Sequence, residues 1–245
     1  MSEVMDRRAR KKARTRTLIR ETAQRLFAER GFEGVTIADI AAAADVAVQT
    51  VFNHFPTKED LFFDGHTPWV EGAAEAVRSR PRGTAPLDAL HAYLVDRVAL
   101  HVRQLTTPEG RLFDATLEAS PALRAREREL HHEATGRLGD ALYEVWTTEG
   151  GAPAIPEDVR TAASVTAAVW LAALRTLMVQ HRGLLTGPAG AVLGDTEQGV
   201  TLACSVADQV FSGLGTAMSP PAISPPAISP PAMSPPASKG LRPTG

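Results

Sequence analysis

Apolar residues recur at helical spacing along most of this 245-residue chain, and no stretch alternates apolar and polar residues as a strand would. The first such pattern comprises Ile19, Ala23, Leu26 and Phe27. Gly31 follows it, and glycine is the residue best suited to end a helix in a left-handed turn. The pattern therefore predicts an all-α fold that begins with a helix ending near residue 30.

Two short helices separated by a tight turn are predicted next. Thr36 can cap the first, with Asp39 three residues later in an arrangement like a capping box. The second covers about Val48–Phe55 and stops at Pro56, because proline cannot donate the next backbone hydrogen bond. Thr57 is then suited to cap a further helix. A short helix, a tight turn and a second short helix together form a helix-turn-helix unit.

The rest of the chain predicts a helical bundle. Residues 57–79 are expected to form one linking helix, and further helices are expected at about 86–105, 109–118, 121–149, 157–182 and 196–215. Residues 183–195 are rich in Gly and Pro and predict a loop.

Basic residues are concentrated at the N-terminus. The first 20 residues carry eight Lys or Arg residues against Glu3 and Asp6, whereas the whole chain has a net charge of −2. Residues 1–12 are interpreted as a flexible basic arm that can meet phosphates at one end of the protein. A solvated tail that only improves solubility explains the same charge equally well.

The C-terminal segment repeats Ser-Pro-Pro-Ala from Ser219 onward. Paired prolines at a five-residue period favour extended polyproline II and prevent a packed core, so residues 217–245 are expected to be disordered. Such a tail can be a ligand for a proline-binding groove, but a tail without a specific role is the favoured interpretation.

Several classes of protein are not supported by the residues. Cys204 is the single cysteine, so no disulfide can form within the chain and a cytoplasmic location is expected. The apolar run 161–174 is too short for a bilayer, which needs roughly 20 residues. No phosphate loop or nucleophile motif is present, and His131-His132-Glu133 lacks the spacing of a zinc site. The chain is therefore expected to be neither an enzyme nor a membrane protein, and to need no metal or cofactor.

Residues 14–63 resemble the DNA-binding domain of the TetR family of transcriptional regulators. The matching residues are Ala23, Leu26-Phe27, Gly31-Phe32, Val35–Ala41, Ala44–Val46 and Gln49–Leu61. The resemblance implies a three-helix DNA-binding domain with a helix-turn-helix over residues 13–63. It also implies a C-terminal helical bundle over residues 64–216 that dimerises and binds a ligand.

The second short helix carries the candidate DNA contacts. A helix fits the major groove, where its N-terminal residues reach base edges, here Ala47, Val48, Gln49 and Thr50. Gln49 and Asn53 can form paired hydrogen bonds with adenine. Val48, Phe52 and the Thr50 methyl group can pack against sugars or thymine methyl groups. The resemblance aligns the family's phosphate contacts with Thr36, Thr50, His54 and Lys58.

Two positions depart from the family pattern, and a third has an alternative role. The family often has Gly where Asp45 stands, and Ser or Thr where Ala47 stands, so the turn and the cap of the recognition helix are weaker than usual. His54 is alternatively a histidine at the edge of the core, bonded to the backbone.

The resemblance also implies a homodimer and an effector pocket. The dimer interface is expected to involve helices 157–182 and 196–215, the second through an apolar stripe of Val200, Cys204, Ala207, Phe211 and Leu214. Candidate residues lining the pocket are His101, Phe113, Tyr143, Trp146 and Trp170. Each of them also fits an ordinary core position.

The function implied is that of a sequence-specific regulator, a repressor that a small-molecule effector releases from operator DNA. An activator that needs its ligand to bind DNA, or a dual regulator, uses the same parts with the opposite sign of coupling. The residues leave these alternatives open.

Overall fold

The computed structural model of the chain describes residues 2–149, 158–186 and 196–218. Within these residues every regular element is a helix. They are α1 (Ser2–Arg30), α2 (Ile37–Ala43), α3 (Val48–His54), α4 (Lys58–Phe63), α5 (Trp69–Arg78), α6 (Pro86–Thr106), α7 (Pro108–Ala119), α8 (Pro121–Glu149), α9 (Val159–Thr186) and α10 (Thr196–Met218). The all-α fold predicted from the sequence is confirmed.

The N-terminal part, α1 to α4, is held together by a cluster of aromatic rings. Phe27, Phe32 and Phe62 have ring centroids 5.2 to 6.1 Å apart in tilted and edge-on arrangements, which are the favoured geometries for aromatic pairs. Val51 and Phe55 of the α3 segment are fully buried. They fasten the short helix α3 to this core.

The turn between α2 and α3 is a Schellman motif. The amide of Val46 donates to the Ala41 carbonyl (3.0 Å), and that of Asp45 donates to the Ala42 carbonyl (3.3 Å). Asp45 itself has φ 52°, in the left-handed region that favours glycine. The turn predicted from the sequence therefore forms, with an aspartate carrying the strain of that conformation.

The linking helix predicted over residues 57–79 is wrong as a single helix. α4 ends at Phe63 and α5 begins at Trp69. Gly65 adopts φ 84° between them, and Pro68 has no amide hydrogen to continue a helix. This break places His66 on a turn beside the bundle and Trp69 at the start of α5.

The basic residues interpreted as a flexible arm are helical in the structure, because α1 already begins at Ser2. Residues 7–14 are all exposed, and Ile19 is the first buried side chain among residues 7–30 of α1. The proline-rich tail from Ser219 and most of the Gly- and Pro-rich loop, residues 187–195, lie outside the described residues.

The C-terminal part is a bundle in which α9 packs along α8, α10 packs along α6, and α5 lies between α6 and α8. Trp170 of α9 and Phe211 of α10 stack at 5.5 Å between ring centroids. The Tyr93 hydroxyl occupies the place where a side chain at Gly72 would stand, so α5 and α6 approach closely there.

Part of the stripe predicted for the α10 interface faces the core of its own subunit, whereas Cys204 and Leu214 are half-buried. Val200, Ala207 and Phe211 are buried within their own subunit, because α10 packs along α6. The exposed apolar side chains of α10 are instead Leu202 (64% exposed) and Val206.

The positive φ angles at Gly31 and Asp45 predict how substitutions there change the free energy of unfolding. Replacing Gly31 (φ 73°) by Ala meets no atom within 4 Å, so only backbone strain opposes it. We expect Gly31→Ala to lower the free energy of unfolding by about 1–2 kcal/mol. Asp45→Gly should raise it by about 0.5–1 kcal/mol, because it removes the strain at φ 52°. Urea unfolding at one protein concentration measures both, and equal stability of Gly31→Ala and wild type would contradict the argument.

Candidate nucleic-acid interface and adjoining cavity

The helix-turn-helix begins at a capping box. The Asp39 amide donates to the Thr36 hydroxyl oxygen (3.1 Å), and the Thr36 amide donates to the Asp39 carboxylate (2.8 Å). Hydrogen bonding to Thr36 lowers the pKa of the Asp39 carboxyl group. Thr36, predicted to contact phosphate, is exposed at the start of α2, and its side chain already serves as the cap.

The outer face of α3 carries the residues predicted to contact bases. Val48 and Phe52 are 43% and 44% exposed, and Gln49 and Asn53 are exposed beside them. The Gln49 amide donates to the Asn53 carbonyl oxygen at 3.2 Å, so both polar side chains lie on one side of the helix. The exposed face of α3 therefore combines two side-chain amides, of Gln49 and Asn53, with two apolar side chains, of Val48 and Phe52.

The start of α3 lacks a side-chain cap. Ala47 is the N-cap residue and makes no capping hydrogen bond, as the sequence indicated. The first amides of α3 are therefore free of a side-chain acceptor from Ala47, and a helix N-terminus in that state favours an anion such as phosphate. Thr50 is half-buried on the first turn of the helix.

Lys58 is held within the protein. Its ammonium group donates to the carbonyl groups of Phe32 (2.9 Å) and Val35 (3.2 Å) and lies 4.1 Å from the centroid of the Phe32 ring. An ammonium group has three donors, so one remains for a phosphate. Lys58 thus fixes the start of α4 to the α1–α2 connection, a role that the sequence analysis did not predict.

His54 lies where α1 crosses the end of α3. Its Nδ1 is buried without a hydrogen-bond partner, and its carbonyl accepts from Arg16 (2.7 Å). Burial, with smaller contributions from the nearby cations Lys12 and Arg16, lowers the pKa of His54. Ala9, Lys12, Arg16 and Asn53 line a shallow groove with His54, so the basic end of α1 adjoins the outer face of α3.

A cavity of about 350 Å³ lies in the bundle next to the N-terminal part, α1 to α4. Its walls come from the α4–α5 turn and from α6, α7, α8 and α9. They include Phe63, His66, Trp69, Arg97, His101, Phe113, Asp114, Glu127, His131 and Arg182. This volume is within the range of small-molecule sites in proteins.

Burial controls the protonation of the cavity's side chains. It lowers the pKa of His101 and of His131 to about 4, so both are neutral at pH 7. It raises the pKa of Asp114 to about 6, against the opposing effect of Arg182. Asp114 remains mostly ionised at neutral pH and pairs with Arg182 (3.1 Å).

The predicted pocket residues divide between three places. His101 and Phe113 line the cavity. Trp146 and Trp170 line a different groove, between α6 and α10. Tyr143 lines neither, and its ring packs under the Arg160 guanidinium at 4.0 Å. The sequence did not single out His66, Trp69, Arg97 or Arg182, which come from separate elements and share no local pattern.

Phe113 connects the cavity to the N-terminal part, α1 to α4. Its ring stacks on Phe62 of α4 (4.6 Å between centroids) and on His66 (4.4 Å). Two further contacts join the same parts: Arg126 of α8 pairs with Asp60 (2.9 Å), and Ser120 donates to Glu33 (2.6 Å). Phe113 is therefore a direct contact between the cavity wall and α4.

The sequence model of bacterial regulatory proteins, tetR family, matches residues 19–64. The chain is 32% identical over 135 residues to the HTH-type transcriptional regulator TcmR of Streptomyces glaucescens, an alignment covering 54% of this chain and 60% of TcmR. It thus spans less than two thirds of that relative.

Solved structures share the fold across most of the chain. NalD, the secondary repressor of the MexAB-OprM multidrug efflux pump in Pseudomonas aeruginosa, superposes with a TM-score of 0.51 and 21% identity over 81% of this chain and 96% of NalD. SmeT in complex with triclosan gives a TM-score of 0.50 and 16% identity over 90% of this chain and 99% of SmeT.

The buried histidines predict a dependence of stability on pH. Between pH 6.5 and about 4 the unfolded chain protonates His131 and the folded chain does not, so this residue lowers stability as the pH falls. His131→Phe keeps a ring against Trp69. Relative to wild type, it should reduce the slope of the unfolding free energy against pH by about 1.4 kcal/mol per unit.

Urea unfolding at several pH values in this window measures that slope. The control is His132→Phe at the exposed neighbouring position, which should keep the wild-type slope. An unchanged slope in His131→Phe would contradict the burial argument. Asp114, whose raised pKa has the opposite effect on the slope, is present in all three proteins and cancels in the comparison.

Proposed function

Because this chain belongs to the TetR family of bacterial regulatory proteins, we propose that it represses transcription as a homodimer bound to operator DNA and leaves that DNA when a small molecule fills the cavity. The observation that carries the proposal is the outer face of α3. This face carries the side-chain amides of Gln49 and Asn53 and the exposed apolar side chains of Val48 and Phe52, on a short helix that is fixed to the core. These side chains do not contribute to the packing of the monomer. They can form hydrogen bonds and apolar contacts with base edges in the major groove.

Each side chain of this face has a role in the proposal. Gln49 and Asn53 recognise adenine through paired hydrogen bonds. The hydrogen bond between the two side chains breaks when these bonds form. Val48 and Phe52 pack against thymine methyl groups or sugars. Ala47, Thr36, Thr50, His54 and Lys58 border the phosphates and set the position of the helix.

The basic end of α1 extends the phosphate-binding surface. Residues 7–14 are exposed and adjoin the groove formed with His54 and Asn53. Like charges three and four residues apart repel one another along a helix, and a polyanion relieves that repulsion. The affinity supplied by this segment is expected to fall steeply with salt concentration.

A homodimer through α9 and α10 is supported by their outer faces. Val165 and Val179 of α9 and Leu202 and Val206 of α10 are exposed apolar side chains, and the proposal assigns them to one apolar surface between the subunits. By length and composition, residues 159–182 of α9 could also cross a membrane, but core helices of soluble proteins pass the same test. Burial of this surface between subunits fits a cytoplasmic regulator.

Release by an effector is supported by the contacts around Phe113. This ring is a wall of the cavity and stacks on Phe62 beside the DNA-binding core. A ligand that displaces Phe113 favours a different tilt of α4, and hence a different separation of the two recognition helices. SmeT, which shares the fold, was solved with triclosan, so the fold is compatible with a bound small molecule.

The decisive test of DNA reading is a polarisation titration with the DNA upstream of the protein's own gene. Each of Gln49→Ala and Asn53→Ala should weaken specific binding by about 1–3 kcal/mol, which is about 5- to 150-fold. Gln198→Ala, an exposed glutamine at the start of α10, is the matched control and should bind as wild type does. Equal binding of all four proteins would contradict base reading by α3.

The dimer is tested at Leu202. A glutamate there places a charge in the apolar surface and opposes its copy in the partner, so Leu202→Glu should shift the protein to monomers and lower its operator affinity. Leu112→Glu, a leucine 47% exposed on α7, is the control and should stay dimeric. Analytical ultracentrifugation distinguishes the two states, and a dimeric Leu202→Glu protein would refute this interface.

A further inference from the structure

The charged groups lining the cavity divide into a compensated set and an uncompensated one. Arg182 pairs with Asp114 (3.1 Å), Glu118 (3.3 Å) and Glu127 (2.9 Å). The Asp114 and Glu127 carboxylates, which line the cavity, are therefore already engaged by a cation. A cationic ligand would therefore gain little from pairing with these two carboxylates.

Arg97 of α6 is the uncompensated group. It lines the same cavity, and its Nε is buried without a hydrogen-bond partner. Arg97 forms no ion pair within the described residues. Arg97 as a whole is half-buried, but a buried N–H donor without an acceptor is unfavourable, and an anion supplied by a ligand offsets that cost.

Aromatic and imidazole rings form much of the remaining wall. Trp69 and His131 lie 4.5 Å apart between centroids, and Phe113 stacks on His66 at 4.4 Å. The two histidines at deeper positions, His101 and His131, are neutral at pH 7, so they do not compete with Arg97 for an anion. Flat rings on several sides favour a flat ligand.

The mouth of the cavity lies between the α4–α5 turn and the α6–α7 junction. The exposed members of its lining are Gly65, His66 and Pro68 on one side, and Leu100, Gln104, Thr107 and Glu109 on the other. A ligand can therefore enter without separating the helices.

We propose that the cavity binds a planar aromatic acid, whose carboxylate or ionised phenol accepts hydrogen bonds from the Arg97 guanidinium while its rings pack against Trp69, His131 and Phe113. This rests on the proposed function only in treating the cavity as the effector site. An aromatic cation, attracted by Asp114 and Glu127, is the competing class. It is disfavoured because both carboxylates already pair with Arg182.

The experiment compares three probes with one ring system and three charges: 2-naphthoate, 2-naphthamide and 2-naphthylmethylammonium. Binding to the full-length protein without DNA is followed by calorimetry and by quenching of tryptophan fluorescence, with Trp69→Phe assigning the signal to the cavity. The carboxylate should bind at least about tenfold more tightly than the amide, because its hydrogen bonds to Arg97 are charge-assisted.

Variants at Arg97 locate the preference. Arg97→Met should bring the carboxylate and the amide within about twofold of each other, and Arg97→Lys should keep part of the preference because it keeps the charge. Arg128→Met, at an exposed arginine of α8, should bind all three probes as wild type does. The probe series on wild type remains decisive if Arg97→Met does not fold.

The proposal would be overturned if the three probes bound equally tightly or if none of them bound. It would also be overturned if the ammonium probe bound most tightly, or if the carboxylate preference survived Arg97→Met. Release of DNA is measured separately. If 2-naphthoate binds through Arg97 and DNA stays bound, the ligand class stands and effector release fails. If DNA binding itself is absent, only the regulator proposal fails.

Discussion

A helix of seven residues is not stable in water by itself, and the ability of this protein to present α3 depends on overcoming that limit. Burial of Val51 and Phe55 attaches the helix to the aromatic core. Arg16 closes its far end by donating to the His54 carbonyl and packing over the Phe55 ring. With α3 held in this way, its outer side chains keep a fixed position without contributing to the core.

The same requirement explains the order of the neighbouring elements. The capping box at Thr36 fixes the start of α2, and the Schellman motif at Asp45 fixes the angle between α2 and α3. Lys58 then ties α4 back to the α1–α2 connection. Because α4 also contacts Phe113 of α7, the support of the DNA-binding unit continues into the wall of the cavity.

Sequence patterns predicted those features whose cause lies within a few residues. The cap at Thr36, the stop at Pro56 and the left-handed turn at Asp45 depend on local side chains, and each was recognised. The break between α4 and α5 was missed although Gly65 and Pro68 mark it, because the apolar residues on both sides continue a helical pattern. The lining of the cavity was mostly missed, because Trp69, Arg97 and Arg182 become neighbours only through tertiary packing.

The outer face of α3 has a consequence for how such a protein evolves. Val48, Gln49, Phe52 and Asn53 are exposed, so exchanging them for other residues leaves no cavity and strands no polar group in the core. Under the proposed DNA contacts, operator preference can therefore change after gene duplication at little cost in folding, while the residues around the cavity are inherited unchanged. Paralogues can in this way come to control different genes in response to the same chemical signal.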